Sequence, residues 1–293
     1  MAKKEKEKKS KKKNKEELEP QYYLSATNMQ TLNYKVYYMS KLEKVLYFVL
    51  VFIVGAAVAY LFYGGIGKDA YGRPTTLTHI IDCTVMGVVG TVAGKKFLPI
   101  RTKQIIKARG KKLNSQFRDM LESLTTSLNS GKNVTGAFQS VYDDMRLQYD
   151  DTSFIIKELE IILSGMANNI DIEDMLEDFG KRSGNPDIMS FASVFKISYR
   201  KGANVKDTIR NTYEILSDKM AIAEEIETMV TGNKNDQNIM TVMPVALIGV
   251  IKMMSPEFAA NFVTFSGIIA TTLGVVMFVA AYYIGQSILD IKV

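Results

Sequence analysis

Carboxylates gather at three places in the chain: Asp143/Asp144, Asp150/Asp151, and Asp171, Glu173, Asp174, Glu177 and Asp178. Clustered oxygens can hold a divalent cation or, as pairs, move protons for a substrate. No string here has the oxygen spacing of an EF-hand loop, and no partner motif accompanies the pairs. Solvated helix faces account for these acids better. The chain has one Cys (Cys83) and one His (His79), so neither an intrachain disulfide nor a Cys/His zinc site can form. Two strings approach a phosphate-binding loop. "GTVAGKK" (Gly90–Lys96) has the wrong Gly spacing and lies in an apolar stretch. "SGKN" (Ser130–Asn133) lacks the upstream Gly and ends in Asn rather than Ser or Thr. The residues therefore predict a protein that is not an enzyme, takes no cofactor or metal, and does not hydrolyse nucleotide.

What positions these residues is visible in how the chain sorts charge from grease. The 293 residues carry a formal net charge of +6 and are 47% hydrophobic, but the first 20 are mostly Lys and Glu while 45–67 and 237–289 are nearly free of charge. Val45–Gly67 is uncharged and long enough to cross a bilayer. It starts too late and runs too long for a cleaved signal peptide. Leu77–Leu98 is a weaker span, with His79 and Asp82 near one end and Lys95 and Lys96 near the other. Asp82, an ionisable residue inside a span, reads as a snorkelled structural group rather than a proton relay. Residues 237–256 (apolar core Ile239–Met254) and 261–289 make a second hairpin, closed by "SPEFAA". Gly267/Thr271 and Ala270/Gly274 are small pairs that would let helices approach closely.

The segment Lys95–Lys112 is strongly basic, as is the tail, which places both on the cytoplasmic side with an even number of spans between them. Residues 1–40 are expected to be a disordered basic cytoplasmic tail that binds anionic lipid. No folded basic module accompanies it, so nucleic acid is not an expected partner. The acceptor-like "NVT" (Asn133–Thr135) falls on the same cytoplasmic side and is discounted as a glycosylation site.

Between 101 and 236 the apolar residues follow helical spacing. Phe117, Met120, Leu121, Leu124 and Leu128 form one stripe, and Val134, Ala137, Phe138, Val141, Tyr142 and Met145 the next. Two corners repeat. "SLNSGKNVTGAFQSVYDDM" (Ser127–Met145) and "SYRKGANVKDTIRNTYEIL" (Ser198–Leu216) share Ser, Gly, Asn, Val and Tyr, with Gly131 and Gly202 standing 71 residues apart. Gly131 and Gly202 fit the left-handed position that ends a helix. Asn133 and Asn204 fit the N-cap that begins the next. A looser corner is expected around Gly165, with Asp171 and Asn185-Pro186 as later helix starts. The fold class is thus all-α: four transmembrane helices, with a cytoplasmic bundle of about six helices between two membrane hairpins.

The order "FRDMLESLTTSLNSGKNVTGAF", then "KELEIILSGMANNIDIEDMLEDFGKRSGNPDIMSFASVFKISYRKGANVKDTI", then "IMTVMPVALIGVIKMMSPEF" and a final Gly-rich span resembles the type II secretion system F domain. The arrangement is similar to the TadB-like inner-membrane platform proteins of Tad (Flp) pilus systems, over roughly Phe117 to Val293. One such domain is present, where the platform proteins of type II secretion and type IV pili carry two. The tail lies outside the resemblance. The resemblance implies a platform in the cytoplasmic membrane, both termini cytoplasmic, that couples a secretion ATPase to pilin or pseudopilin subunits. A TadC-like partner or homo-oligomerisation goes with it. It carries over no catalytic residue. Candidate docking surfaces for the ATPase are the basic segment (Arg101, Lys103, Lys107, Arg109, Lys111, Lys112) and the acidic face (Asp171, Glu173, Asp174, Glu177). The alternative is a transporter or channel subunit with a helical regulatory domain. That reading expects polar residues near the bilayer midplane, and the last hairpin has almost none.

Overall fold

The computed structural model describes residues 19–25, 27–67, 73–202 and 204–289. The Lys/Glu-rich start of the tail and Lys68–Gly72, between the first two apolar segments, lie outside the described residues. Two three-residue strands, β1 (Tyr22–Leu24) and β2 (Gln30–Leu32), precede nine helices among the described residues. These are α1 (Lys41–Tyr63), α2 (Thr76–Asn129), α3 (Val134–Gln148), α4 (Phe154–Ala167), α5 (Ile172–Ser183), α6 (Pro186–Arg200), α7 (Val205–Met254), α8 (Pro256–Phe262) and α9 (Phe265–Leu289). Four of them, α1, α2, α7 and α9, are long and apolar enough to cross a membrane.

The chain divides into two compact units. One joins the residues up to Tyr38 to Thr102–Asp218, and the other joins Met39–Arg101 to Lys219 onward. The division does not fall at helix ends. α2 is a single helix of 54 residues and α7 one of 50, so each passes from one unit into the other without a break. The basic stretch after Leu98 contains Lys, Arg, Gln and Ile, which propagate a helix, and only Pro99 to interrupt it. Expected boundaries at 101 and 236 are therefore boundaries of composition, not of secondary structure. Arg101 belongs to the unit of α1, apart from the other five basic candidates.

The first unit is a helical bundle in which α3 packs on α4, α4 on α5, and α5 on α6. Phe117, Phe138, Phe179, Phe191 and Phe195 are fully buried, and the ring of Phe117 lies 5.4 Å from that of Phe191 and 6.1 Å from that of Phe179. Both repeated corners have the conformation their residues require. Gly131 has φ 87° and Gly202 φ 64°. Asn133 Oδ1 accepts from Gly136 N at 2.8 Å, and Asn204 Oδ1 from Asp207 N at 3.4 Å. The repeat also reaches the core. Phe117/Ile188, Met120/Phe191, Leu121/Ala192, Leu124/Phe195, Phe138/Ile209 and Met145/Leu216 stand 71 residues apart, and every one is fully buried. The looser corner expected around Gly165 falls just after α4, with Asn169 in the left-handed conformation at φ 58°. Gly165 is still helical, and a Cβ there would meet the Met175 side chain at 2.8 Å. Asp171 caps α5 by position without a side-chain bond, whereas Asn185 accepts from Asp187 N at 2.8 Å ahead of Pro186.

The expectation of a disordered tail as far as residue 40 is corrected over its last part. β1 pairs antiparallel with β2, Tyr22 opposite Leu32, and the chain then enters the bundle. Tyr34 is buried, its ring edge-on to Phe154 at 5.4 Å, and its N–H donates to Arg182 O at 3.0 Å. Five Tyr, two Leu and one Val from Tyr22 to Tyr38 supply apolar area that the Lys/Glu stretch lacks.

In the second unit α1 and α2 meet through glycines. A Cβ on Gly90 would strike the Phe52 ring at 2.7 Å, one on Gly94 the Phe48 ring at 2.6 Å, and one on Gly55 would sit 3.3 Å from Ala93. Among the described residues nothing lies within 4 Å of a Cβ on Gly274, so the Ala270/Gly274 pair is left open in the single chain. Asp82 accepts from Gly65 N at 3.1 Å, which fastens the turn after α1 to α2 and gives this carboxylate a structural partner. Lys252 donates to Leu61 O at 2.6 Å, satisfying one of the carbonyls that the last turn of α1 leaves open.

Candidate functional site

The acidic face is largely neutralised from within. α5 begins with Glu173 and Asp174 in its first turn, where carboxylates suit the positive helix end, and closes with Lys181 and Arg182. α6 returns antiparallel and brings two more cations alongside. Arg200 Nε donates to Glu173 at 2.9 Å, with the Glu173 carboxylate itself buried. Lys196 bridges Asp174 at 3.0 Å and Glu177 at 2.6 Å, and Lys181 reaches Glu177 at 2.6 Å. Hydrogen bonds from Lys181 and then Lys196 hold the Glu177 carboxyl down at about 2. Of the four acidic candidates only Asp171 stands outside this ladder, exposed at the α5 N-terminus. A partner would therefore have to displace cations already in contact, which weakens this face as a docking surface.

One further cation leads inward. Arg182 Nε donates to Asp178 at 2.6 Å, and its other nitrogens donate to the two oxygens of Glu158 at 2.8 and 2.7 Å. Glu158 and Arg182 are almost fully buried. Tyr34 OH donates to the same Glu158 oxygen at 2.9 Å, and Arg182 Nη1 also donates to Leu32 O at 3.3 Å. Burial opposes the charge on Arg182, but Glu158 outweighs it and the guanidinium is held above its usual range. Burial first, then the charge of Glu158, pushes the Tyr34 phenol upward, so it stays a donor. This bidentate pair locks the N-terminal hairpin to α4 and α5. Sequence reasoning missed it, although one signal was present. Glu158 sits three residues after Ile155 and four before Ile162, an acid inside an apolar stripe.

The basic segment is brought together only in part. Lys103, Lys107 and Lys111 recur every four residues and are exposed along one face of α2. Arg109 turns elsewhere, its guanidinium 4.3 Å from the Tyr37 ring, and the Lys112 ammonium lies 5.9 Å from the Phe154 ring. Arg101 lies over Tyr47 in the other unit at 5.4 Å. Among the described residues no three His, Cys, Asp or Glu converge as a metal site. No known family model matches this chain, nor does any curated protein or solved structure.

Proposed function

We propose that this protein is an assembly platform of the TadB-like kind in the cytoplasmic membrane, linking a cytoplasmic secretion ATPase to pilin or pseudopilin subunits. The observation that carries the reading is the pair of unbroken helices. α2 and α7 each combine a membrane-grade segment with a segment of the charged bundle, and no loop separates the two. Helices that run from an apolar segment into the bundle without an intervening loop suit a platform anchored in the bilayer. The repeated corners and the order of motifs support the same family. The basic residues after Leu98 orient the bundle and both termini to the cytoplasm by the positive-inside rule. Lys103, Lys107 and Lys111 form the more accessible of the two candidate ATPase contacts, since the acidic face is occupied by Lys181, Lys196 and Arg200.

Co-purification of the full chain with a hexameric secretion ATPase from the same cells tests the reading. Binding is expected at low salt and weakens as salt rises. Reversal of Lys103, Lys107 and Lys111 to Glu reduces it. Absence of binding by the parent at low salt refutes the platform role. Labelling with an impermeant thiol reagent in a Cys83→Ser background checks the orientation: a cysteine at Glu257 reacts from outside and one at Asp150 does not.

A further inference from the structure

The repeat permits a residue-by-residue comparison of two corners that share one backbone plan. Their buried positions agree, but their outer faces do not. In the first corner Ser123 Oγ donates to Asp144 Oδ2 at 2.9 Å on the exposed side of α2 and α3. The residues 71 positions later are Val194 and Ile215, which are 46% and 60% exposed. They line a groove of about 270 Å³ between α6 and α7, together with Phe191 and Leu216, the polar Ser190 and Asn211, and Asp187. A polar, self-satisfied pair in one copy has become an apolar cleft in the other.

Charge changes at the same corner. Asn129, Ser130, Thr135 and Gln139 of the first copy correspond to Arg200, Lys201, Lys206 and Arg210 of the second. The first corner carries one cation, Lys132. Glu173 answers Arg200 and Glu214 answers Arg210, each cation remaining more than half exposed, and Asp207 is bonded to Asn204. The second corner thus has a largely apolar cleft on the same helix pair as Lys201 and Lys206, which form no ion pair among the described residues, and neither feature is needed to build the corner, since the first copy folds without them.

We propose that this second corner is a docking surface for a partner protein that presents an acidic amphipathic helix, its apolar stripe in the cleft and its carboxylates on the cations. A second copy of this chain offering the same surface would set Lys201 and Lys206 against the same two lysines, which opposes a twofold contact. A bilayer takes protruding apolar side chains, whereas Val194 and Ile215 border a concavity with a hydroxyl and an amide at its edge. The surface stands independently of the platform reading, because it follows from the comparison of the two corners.

The test uses the full-length chain in its native cells with a photo-crosslinking amino acid at Asn211, and at Ser140, the matching position of the first corner, as control. The expected adduct forms at Asn211 and not at Ser140. Its mapped peptide belongs to another protein, is rich in Asp and Glu, and spaces its apolar residues at three and four. The double substitution Val194→Ser with Ile215→Asp installs the pair that the first corner already tolerates, and lowers the adduct at least tenfold. Lys201→Glu with Lys206→Glu does the same without touching the cleft. A lipid adduct, an adduct to a second copy, a basic peptide, equal labelling at Ser140, no adduct, or an adduct indifferent to both pairs of substitutions overturns the proposal. Any of these leaves ATPase co-purification as it was, so the two readings fail separately.

Discussion

Replacing Arg182 with Met should open the bundle selectively around α4 and α5. The substitution keeps most of the aliphatic stem but strips the cation from Glu158, whose side chain is 2% exposed. Asp178 also loses its partner, but at 47% exposure water can replace it. The dominant cost is therefore one buried carboxylate left without charge compensation, about 3–5 kcal/mol. At about 1.4 kcal/mol per tenfold, amides of α4 and α5 should exchange with solvent roughly 100- to 4,000-fold faster. Hydrogen exchange with mass spectrometry on the full chain in nanodiscs reads this unit apart from the spans. A second arm separates charge from packing. Glu158→Leu, Arg182→Met and Tyr34→Phe together remove the buried acid, its cation and the phenol that bonds it, and should recover most of the lost protection, since an apolar replacement of a buried pair is often neutral. Parent-like exchange in Arg182→Met alone would refute the reasoning. So would a triple variant as unprotected as the single one.

At the corners, Gly131→Val and Gly202→Val should each cost about 1–3 kcal/mol, from backbone strain alone, because nothing lies within 4 Å of a Cβ at either site. Asn at the same positions should cost less, since it tolerates left-handed backbone. Equal exchange protection of the Val variants and the parent would mean that these glycines are not required. The Glu177 carboxyl, held at about 2 by two lysines, stabilises the α5–α6 pair above its ordinary carboxylate range and loses that contribution as pH falls from about 4.5 to about 2. The stability gap between the parent and Glu177→Gln should narrow across that window, and a titration midpoint for Glu177 near 4.5 by NMR would count against the bridged geometry.

The helices were legible because their causes are local. Apolar spacing, Asn at the N-cap and Gly at a left-handed position act within a few residues, so both corners and the start of α6 could be placed from the string alone. The hairpin at Tyr22–Leu32 was not. Its strands are three residues long, and a buried Tyr34 depends on Glu158, 124 positions away. The acidic face misled for a similar reason. Asp174 and Glu177 look unanswered along the sequence, and Lys196 reaches them only when α6 folds back over α5.

Exposed Val194 and Ile215 show where the limit lies. Single apolar residues on a helix surface are ordinary and signal nothing. They acquire meaning only when the register of the repeat is known, and the five matched positions at the corner leave that register resting on a short stretch. Burial extends it, because six further pairs at the same 71-residue offset are all withdrawn from solvent. With the register fixed by the core, each outer position has an internal control in the same chain. Asp144 shows what the backbone there accepts, and Ile215 then becomes a departure that folding does not explain.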